Sequence, residues 1–366
     1  MTTMPDHKSL ALIDALKAGA CCLIVLHHLA FYGPMADHAD DLYPALFEWL
    51  AQHARLAVQV FLVLGGYLAA KGLMASWGDA APAQAGVVWR DAGRRVVERF
   101  FRLALPLWAA LVLAVLCNAV SDHWMDHPSI SAAPNVLQLL THLLLLQDIA
   151  GHEALSAGIW YVAIDFQLFA MLTLMGAVAR LAPQPRGVLM GLTLAALSLS
   201  ALFINRHPSW DVGAPYFWCS YGLGVALGLS PRRRELGLAA LVVMGAFLLE
   251  PRSRLLVAIT TAVVFWAWMA AQGRVLPRVA PWCRGLSRIS YSVFLTHFPV
   301  CLVVNAIWVT FLPVNPWVQL WGVVTALKVS LLAGWLFHER VERPLVKRVS
   351  GRVSGQAATH PAGLST

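Results

Sequence analysis

The sequence predicts an all-α, polytopic integral membrane protein. It should have about ten transmembrane helices and one short interfacial or re-entrant helix on the outer side. Three observations predict it. Of 366 residues, 59% are hydrophobic and only 13% charged, against roughly 25% charged in a soluble globular chain. Ten apolar runs are long enough, or nearly so, to cross a hydrocarbon core about 30 Å thick. The loops between those runs alternate between basic and base-poor, the pattern that sets orientation in a membrane.

The runs lie at about 11–31, 53–74, 100–120, 158–180, 187–204, 214–229, 236–249, 255–272, 289–311 and 317–337. The first ends in Phe31-Tyr32-Gly33-Pro34 and has no small-residue cleavage site, so it reads as a retained span. The third begins in the basic stretch RRVVERFFRLALPLW, and the fourth opens with the interfacial pair Trp160 and Tyr161. The shorter runs depend on neighbouring helices or local bilayer thinning. The last ends in FHERVERPL, which places Glu339 and Glu342 at its end.

One set of loops carries Arg90 to Arg102, Arg180 and Arg186, Arg232 to Arg234, Arg274 to Arg288, and Arg340 to Arg352. The alternate set, 32–52, 121–157 and 205–213, is poor in Lys and Arg. Both termini are therefore expected in the cytoplasm. Arg252 and Arg254, in a short outer turn, are the exception. The apolar stretch 135–148 is too short to span, and counting it would invert every later loop, so it is assigned to the outer side. Residues 1–348 read as a single membrane domain. Residues 349–366, rich in Ser, Gly and Ala, read as a disordered cytoplasmic tail.

The net charge of +8 does not point to nucleic acid, because the excess bases sit in short loops between apolar runs. The six cysteines form no C-x-x-C pair and lie mostly inside apolar runs. They read as small buried residues, with no disulfide framework and no metal site.

The informative residues are ionisable groups where lipid is expected, since each costs about 2.5–3.5 kcal/mol on insertion scales. Lys17 and His28 are eleven positions apart, roughly 16 Å along a helix and nearly three whole turns, so they share a face. Alone, Lys17 reads as a snorkelling anchor and His28 as a bonded bundle histidine; together they suggest a polar path. Asp14 lies one turn before Lys17 and can pair with it. His27 points elsewhere and reads as a headgroup-level residue. Arg99 and Arg102, one turn apart, suit a polyanion such as phosphate. Asp165 is a lone carboxylate inside an apolar helix. The stretch RGLSRISYSVFLTHFPV adds Ser290, Tyr291 and His297, with Pro299 just after.

Taken together, these motifs resemble the acyltransferase-3 family of bacterial integral-membrane O-acyltransferases, over about 10–348. The family's first helix reads D-G-L-R, ten residues, then His; here Asp14-Ala15-Leu16-Lys17 is followed by ten residues and His28. FLVLGGYLAA, with Gly65, Gly66 and Tyr67, is similar to F-F-V-L-S-G-F. Arg99 and Arg102 match R-x-x-R, and Trp160 through Asp165 resembles W-x-L-x-x-E. SRISYSVFLTHFPV and the final VERP are similar to the last two motifs. The departures are Lys17 for Arg, Asp165 for Glu and Gly65 for Ser.

The resemblance implies a bacterial inner-membrane enzyme. It would transfer an acyl group, acetyl foremost, from a cytoplasmic acyl-CoA to a hydroxyl of a cell-surface or lipid-linked glycan. His28 would be the general base, with Asp14 or Asp165 orienting it; the sequence does not choose between them. Arg99 and Arg102 would hold coenzyme A phosphates, with Lys17 beside them. Tyr67, Trp160, Ser290, Tyr291, His297 and Glu342 would line or support the channel. Glycan acceptor and membrane lipids are the expected partners, the chain acting either alone or with a separate extracytoplasmic protein. No metal and no nucleic acid is expected. The alternative is a proton-coupled transporter or flippase, which would also use intramembrane Lys, His and Asp. No inverted repeat supports it.

Overall fold

The computed structural model describes residues 7–77, 84–229, 233–271 and 281–348. Among them every regular element is helical: α1 (His7–Tyr32), α2 (Pro34–Ala39), α3 (Pro44–His53), α4 (Val58–Trp77), α5 (Ala85–Trp124), α6 (Val136–Leu143), α7 (Ile159–Arg180), α8 (Pro185–Leu202), α9 (Ala214–Leu229), α10 (Arg233–Leu249), α11 (Ser253–Ala270), α12 (Pro281–Phe311) and α13 (Pro316–Phe337). The expected tail, 349–366, lies outside the described residues.

Eight described segments are long and apolar enough to cross a membrane. Two of the ten expected spans fall short of that length. α9 has 16 residues and α10 has 17. α9 is short because it is the inner helix of the bundle. Fourteen of its residues are buried, from Ala214 to Gly228, so its ends meet protein.

α9 packs along α4 at backbone contact. A Cβ on Gly224 would fall on the carbonyl oxygen of Val63, and one on Gly66 would fall on that of Tyr221. Small residues that let backbones meet are the usual source of helix association in lipid.

Three expected loops are helical instead. The basic segment before the third span belongs to α5, a 40-residue helix of roughly 60 Å. Its added turns are held by Arg94–Glu98 at i,i+4, by Asp91 with Arg180 of α7, and by Val88 and Ala92 against Ala177. The segment 32–52, expected as an outer loop, forms α2 and α3, each with a proline in its first turn, where the missing N–H costs nothing. α12 starts eight residues before the expected 289.

The short helix expected within 135–148 is α6. The Asn135 side chain caps it by accepting from the Gln138 amide, and Leu145 closes it in the left-handed region at φ 60°. The connection onward to α7 descends into the bundle. A Cβ on Gly158 would come 2.9 Å from the Phe294 carbonyl oxygen, about 17 residues or roughly 26 Å before the end of α12.

His142 braces that connection. Its Nδ1 donates to the Gln138 carbonyl, and its Nε2 accepts from the Leu155 amide. This requires the neutral ring, and burial lowers the His142 pKa from its usual value. A histidine depressed in the folded state contributes stability that is present above about 6.5 and lost as pH falls through the folded value. Hydrogen exchange at the Leu155 amide, corrected for intrinsic rate, should therefore show full protection at pH 7.5 and progressive loss below 6.5. Protection that holds to pH 4 would exclude this brace.

Arg252 and Arg254, the exceptions to the charge pattern, are fixed by local bonds. Arg252 donates to the Asn205 side chain and to the Ala201 carbonyl at the end of α8, and Arg254 donates to the Tyr216 hydroxyl. A cation on free helix carbonyls satisfies groups that would otherwise lack a partner.

Candidate active site

An elongated cavity of about 520 Å³ opens among α1, α4, α5, α7, α12 and the turn after α13. α4 lines it from Phe61 to Leu73 and α7 from Tyr161 to Thr173, each about 18 Å of helix. α5 runs the opposite way and sets Arg95, Arg99 and Arg102 down one wall. Lys17 is the contribution of α1. The expected pair Arg99 and Arg102 thus does face a common space. Arg95 joins them, although in the sequence it looked like one more loop arginine.

Asp165 lies in this cavity and is bound by Arg99, Nη2 to Oδ2 at 2.5 Å. The ion pair removes the isolation that made Asp165 conspicuous. Arg99 Nε remains buried with no partner among the described residues, a donor set for an additional anion. Glu342 also lines the cavity. A π-helical turn over His338–Glu342 carries it inward, where its Oε2 accepts from Ser292 at 2.5 Å and meets His338 at 2.9 Å. Pro344 follows two residues later and lacks an amide to continue regular bonding, which accounts for the wide turn.

Ser290 and Tyr291 line the wall, but their hydroxyls are committed, to the Ser287 and Leu103 carbonyls. At the far end three rings meet. Tyr161 stands 6.2 Å from Phe61 and 5.0 Å from Phe294, centroid to centroid. None of the three is visible in the sequence as part of a site. The nearest signal is Tyr161 lying one turn before Asp165.

His28 lies just beyond these rings. Phe294 packs 5.9 Å from His297, and His297 lies nearly coplanar with His28, the planes 13° apart and the centroids 4.9 Å apart. His28 Nδ1 and His297 Nε2 are 2.6 Å apart. The protons on this pair follow from its surroundings. His297 Nδ1 lies 2.9 Å from the Val293 carbonyl and 3.0 Å from that of Phe294. Carbonyls only accept, so Nδ1 holds the hydrogen, and in the neutral ring Nε2 becomes the acceptor. His28 Nδ1 must then donate to it. That leaves the His28 Nε2 lone pair unused, in the orientation of a base.

Neither expected carboxylate reaches this pair. Asp165 is held by Arg99. Asp14 lies fourteen positions before His28 on the same helix, about 21 Å away. The orienting group against His28 is His297, expected only as channel or support. His27, expected at headgroup level, is instead buried and bonded through Nδ1 to the Leu50 carbonyl of α3 at 3.1 Å.

Two expected channel residues lie elsewhere. Tyr67 packs edge-on against Phe265 of α11, and Trp160 packs against Phe217 of α9. The cavity side of α4 is formed instead by Leu64, Gly65 and Leu68, and that of α7 by Tyr161, Val162 and Asp165.

Three comparisons with known proteins bear on these residues. The acyltransferase-3 family model, described as an acyltransferase domain, matches residues 10–339. Curated proteins and solved structures yield no match.

Proposed function

From the premise that the chain belongs to the acyltransferase-3 family and is a membrane acyltransferase, we propose that it moves an acetyl group from acetyl-CoA to a hydroxyl of a carbohydrate. The donor enters from the cytoplasm, and the acceptor is a cell-surface or lipid-linked glycan. The protein sits in the bacterial inner membrane with both termini cytoplasmic.

The observation that carries this reading is the alignment of the cavity with the histidine pair. The cavity runs along α4 and α7, is walled on one side by arginines, and reaches Phe294, which packs against His297. The residues fit a nucleotide thioester. Arg99 offers its unpartnered Nε, Arg95 and Arg102 add guanidinium groups suited to phosphate, and Lys17 stands roughly 16 Å along α1 from His28. Phosphates held at this level would let an extended arm reach toward the histidine pair.

The chemistry follows from the free nitrogen of His28. The acceptor hydroxyl gives its proton to His28 Nε2 as its oxygen attacks the thioester carbonyl carbon. The carbon–sulfur bond breaks, and the same nitrogen returns the proton to the thiolate. His297 keeps the ring turned and accepts from Nδ1 throughout, the role an acid has in a catalytic triad.

The test is acetyl-CoA consumption by purified protein in lipid nanodiscs. Arg102→Ala should raise KM for acetyl-CoA about tenfold, since a charge-assisted phosphate contact is worth about 1.5–3 kcal/mol and 1.4 kcal/mol is tenfold. Its kcat should stay close to the wild-type value. No consumption by the wild-type protein, with water or with glycan, would defeat the reading. Succinyl-CoA as the preferred donor would correct the acyl group.

A further inference from the structure

We propose that Tyr32 is the acceptor-side specificity residue: its hydroxyl holds a second hydroxyl of a polyol while a neighbouring one faces His28 Nε2. This rests on the proposed function and adds a residue to it.

Tyr32 is one turn beyond His28 on α1, on the side away from Lys17, so the base stands between the donor cavity and Tyr32. The two rings are 5.8 Å apart. The other rings against His28 are His27, His297 and Phe298. Phe298 carries no polar atom, both nitrogens of His297 are in use, and His27 is tied to the Leu50 carbonyl. Of these four rings Tyr32 alone carries a hydroxyl, and that hydroxyl makes no hydrogen bond among the described residues.

Its place is fixed from several sides. The Tyr32 carbonyl accepts from Ser129 Oγ at 3.0 Å. Its ring packs edge-on against Phe298 at 5.2 Å and Phe31 at 4.7 Å. Phe31 is 57% exposed, which leaves an open aromatic face beside Tyr32 for the apolar side of a sugar ring. A half-buried hydroxyl held this firmly beside a base has the chemistry to sort alcohols. A site that bonds a substrate hydroxyl disfavours the analogue lacking it, because its own polar group is then left unpaired.

The experiment compares two alcohols of equal ring size, methyl α-D-mannopyranoside, with several adjacent hydroxyls, and cyclohexanol, with one. Each is offered with acetyl-CoA to the purified full chain in nanodiscs, and kcat/KM is measured for both. The wild-type protein should favour the mannoside, and Tyr32→Phe should lower the mannoside-to-cyclohexanol ratio about tenfold. An equal loss on both alcohols would mean a packing role and overturn the proposal. So would an unchanged ratio, or a wild-type protein that does not acylate the mannoside. Should Tyr32→Phe fail to accumulate, 3-fluorotyrosine at position 32 keeps the ring and strengthens the donor; a raised ratio supports the proposal and an unchanged one overturns it. Acetyl-CoA hydrolysis without alcohol, present in the wild type and lost in His28→Ala, would show that the acyltransferase reading survives even where the Tyr32 proposal fails.

Discussion

Replacing His28 with alanine should cut acyl transfer by about 10²–10⁴-fold, the range for losing a general base, with protein levels unchanged. KM for acetyl-CoA should barely move, because Arg99 and Arg102 lie well away along the cavity. The adjacent His27→Ala is the control: it breaks a bond to Leu50 and should cost stability more than rate. The partner sharpens the test. His297→Gln offers an oxygen acceptor near the former Nε2 position and should retain part of the activity. His297→Leu offers none, so the His28 ring can turn or take the other tautomer, and its rate should approach that of His28→Ala. Full activity in His297→Leu would show that the pair is a packing contact and that His28 needs no orientation.

The second large effect is on folding. Gly224→Ala should sharply reduce the folded fraction recovered in detergent. The added carbon would meet the Val63 carbonyl, with the Tyr67 amide 2.8 Å away. Backbone cannot swing aside as a side chain can, so α4 and α9 would have to part along their contact. Overpacking costs about 1–3 kcal/mol where side chains can adjust, and here it should exceed that. Gly191→Ala in α8 is the comparison. Nothing lies within 4 Å of the new carbon, and removing a helix glycine gains about 0.5–1 kcal/mol. Size-exclusion profiles and thermal midpoints of the two variants should move in opposite directions. Equal behaviour would mean that the α4–α9 contact is not close-packed in the membrane.

Much of this was legible because membrane helices are simple objects. Lys17 and His28 could be placed on one face by counting, since both belong to a single helix. Arg99 and Arg102 were legible for the same reason. The histidine pair was harder: 269 positions separate His28 from His297, and no periodicity measures that distance. The expectation of a carboxylate partner failed on geometry. Asp14 is on the right helix but at the wrong height, and Asp165 already has an arginine. Charge patterning found the basic segments but misread the starts of α5 and α12 as loops, because it reports which side a residue is on and not whether it is helical. The bounds of α9 were read at 214–229, as found. What did not show was its place, because a helix apolar all round carries no polar face to tell the centre of a bundle from lipid.

The proton arrangement on His28 and His297 has an energetic corollary. The hydrogen on His297 Nδ1 is held between two carbonyls that cannot accept it as a proton, so nothing can leave the pair by that route. A proton that His28 Nε2 takes from the acceptor hydroxyl must leave again through Nε2, to the departing sulfur. The pair is a cul-de-sac for protons. On the proposed reading, acyl transfer would then run on the thioester alone, without drawing on the transmembrane voltage or the ion gradient.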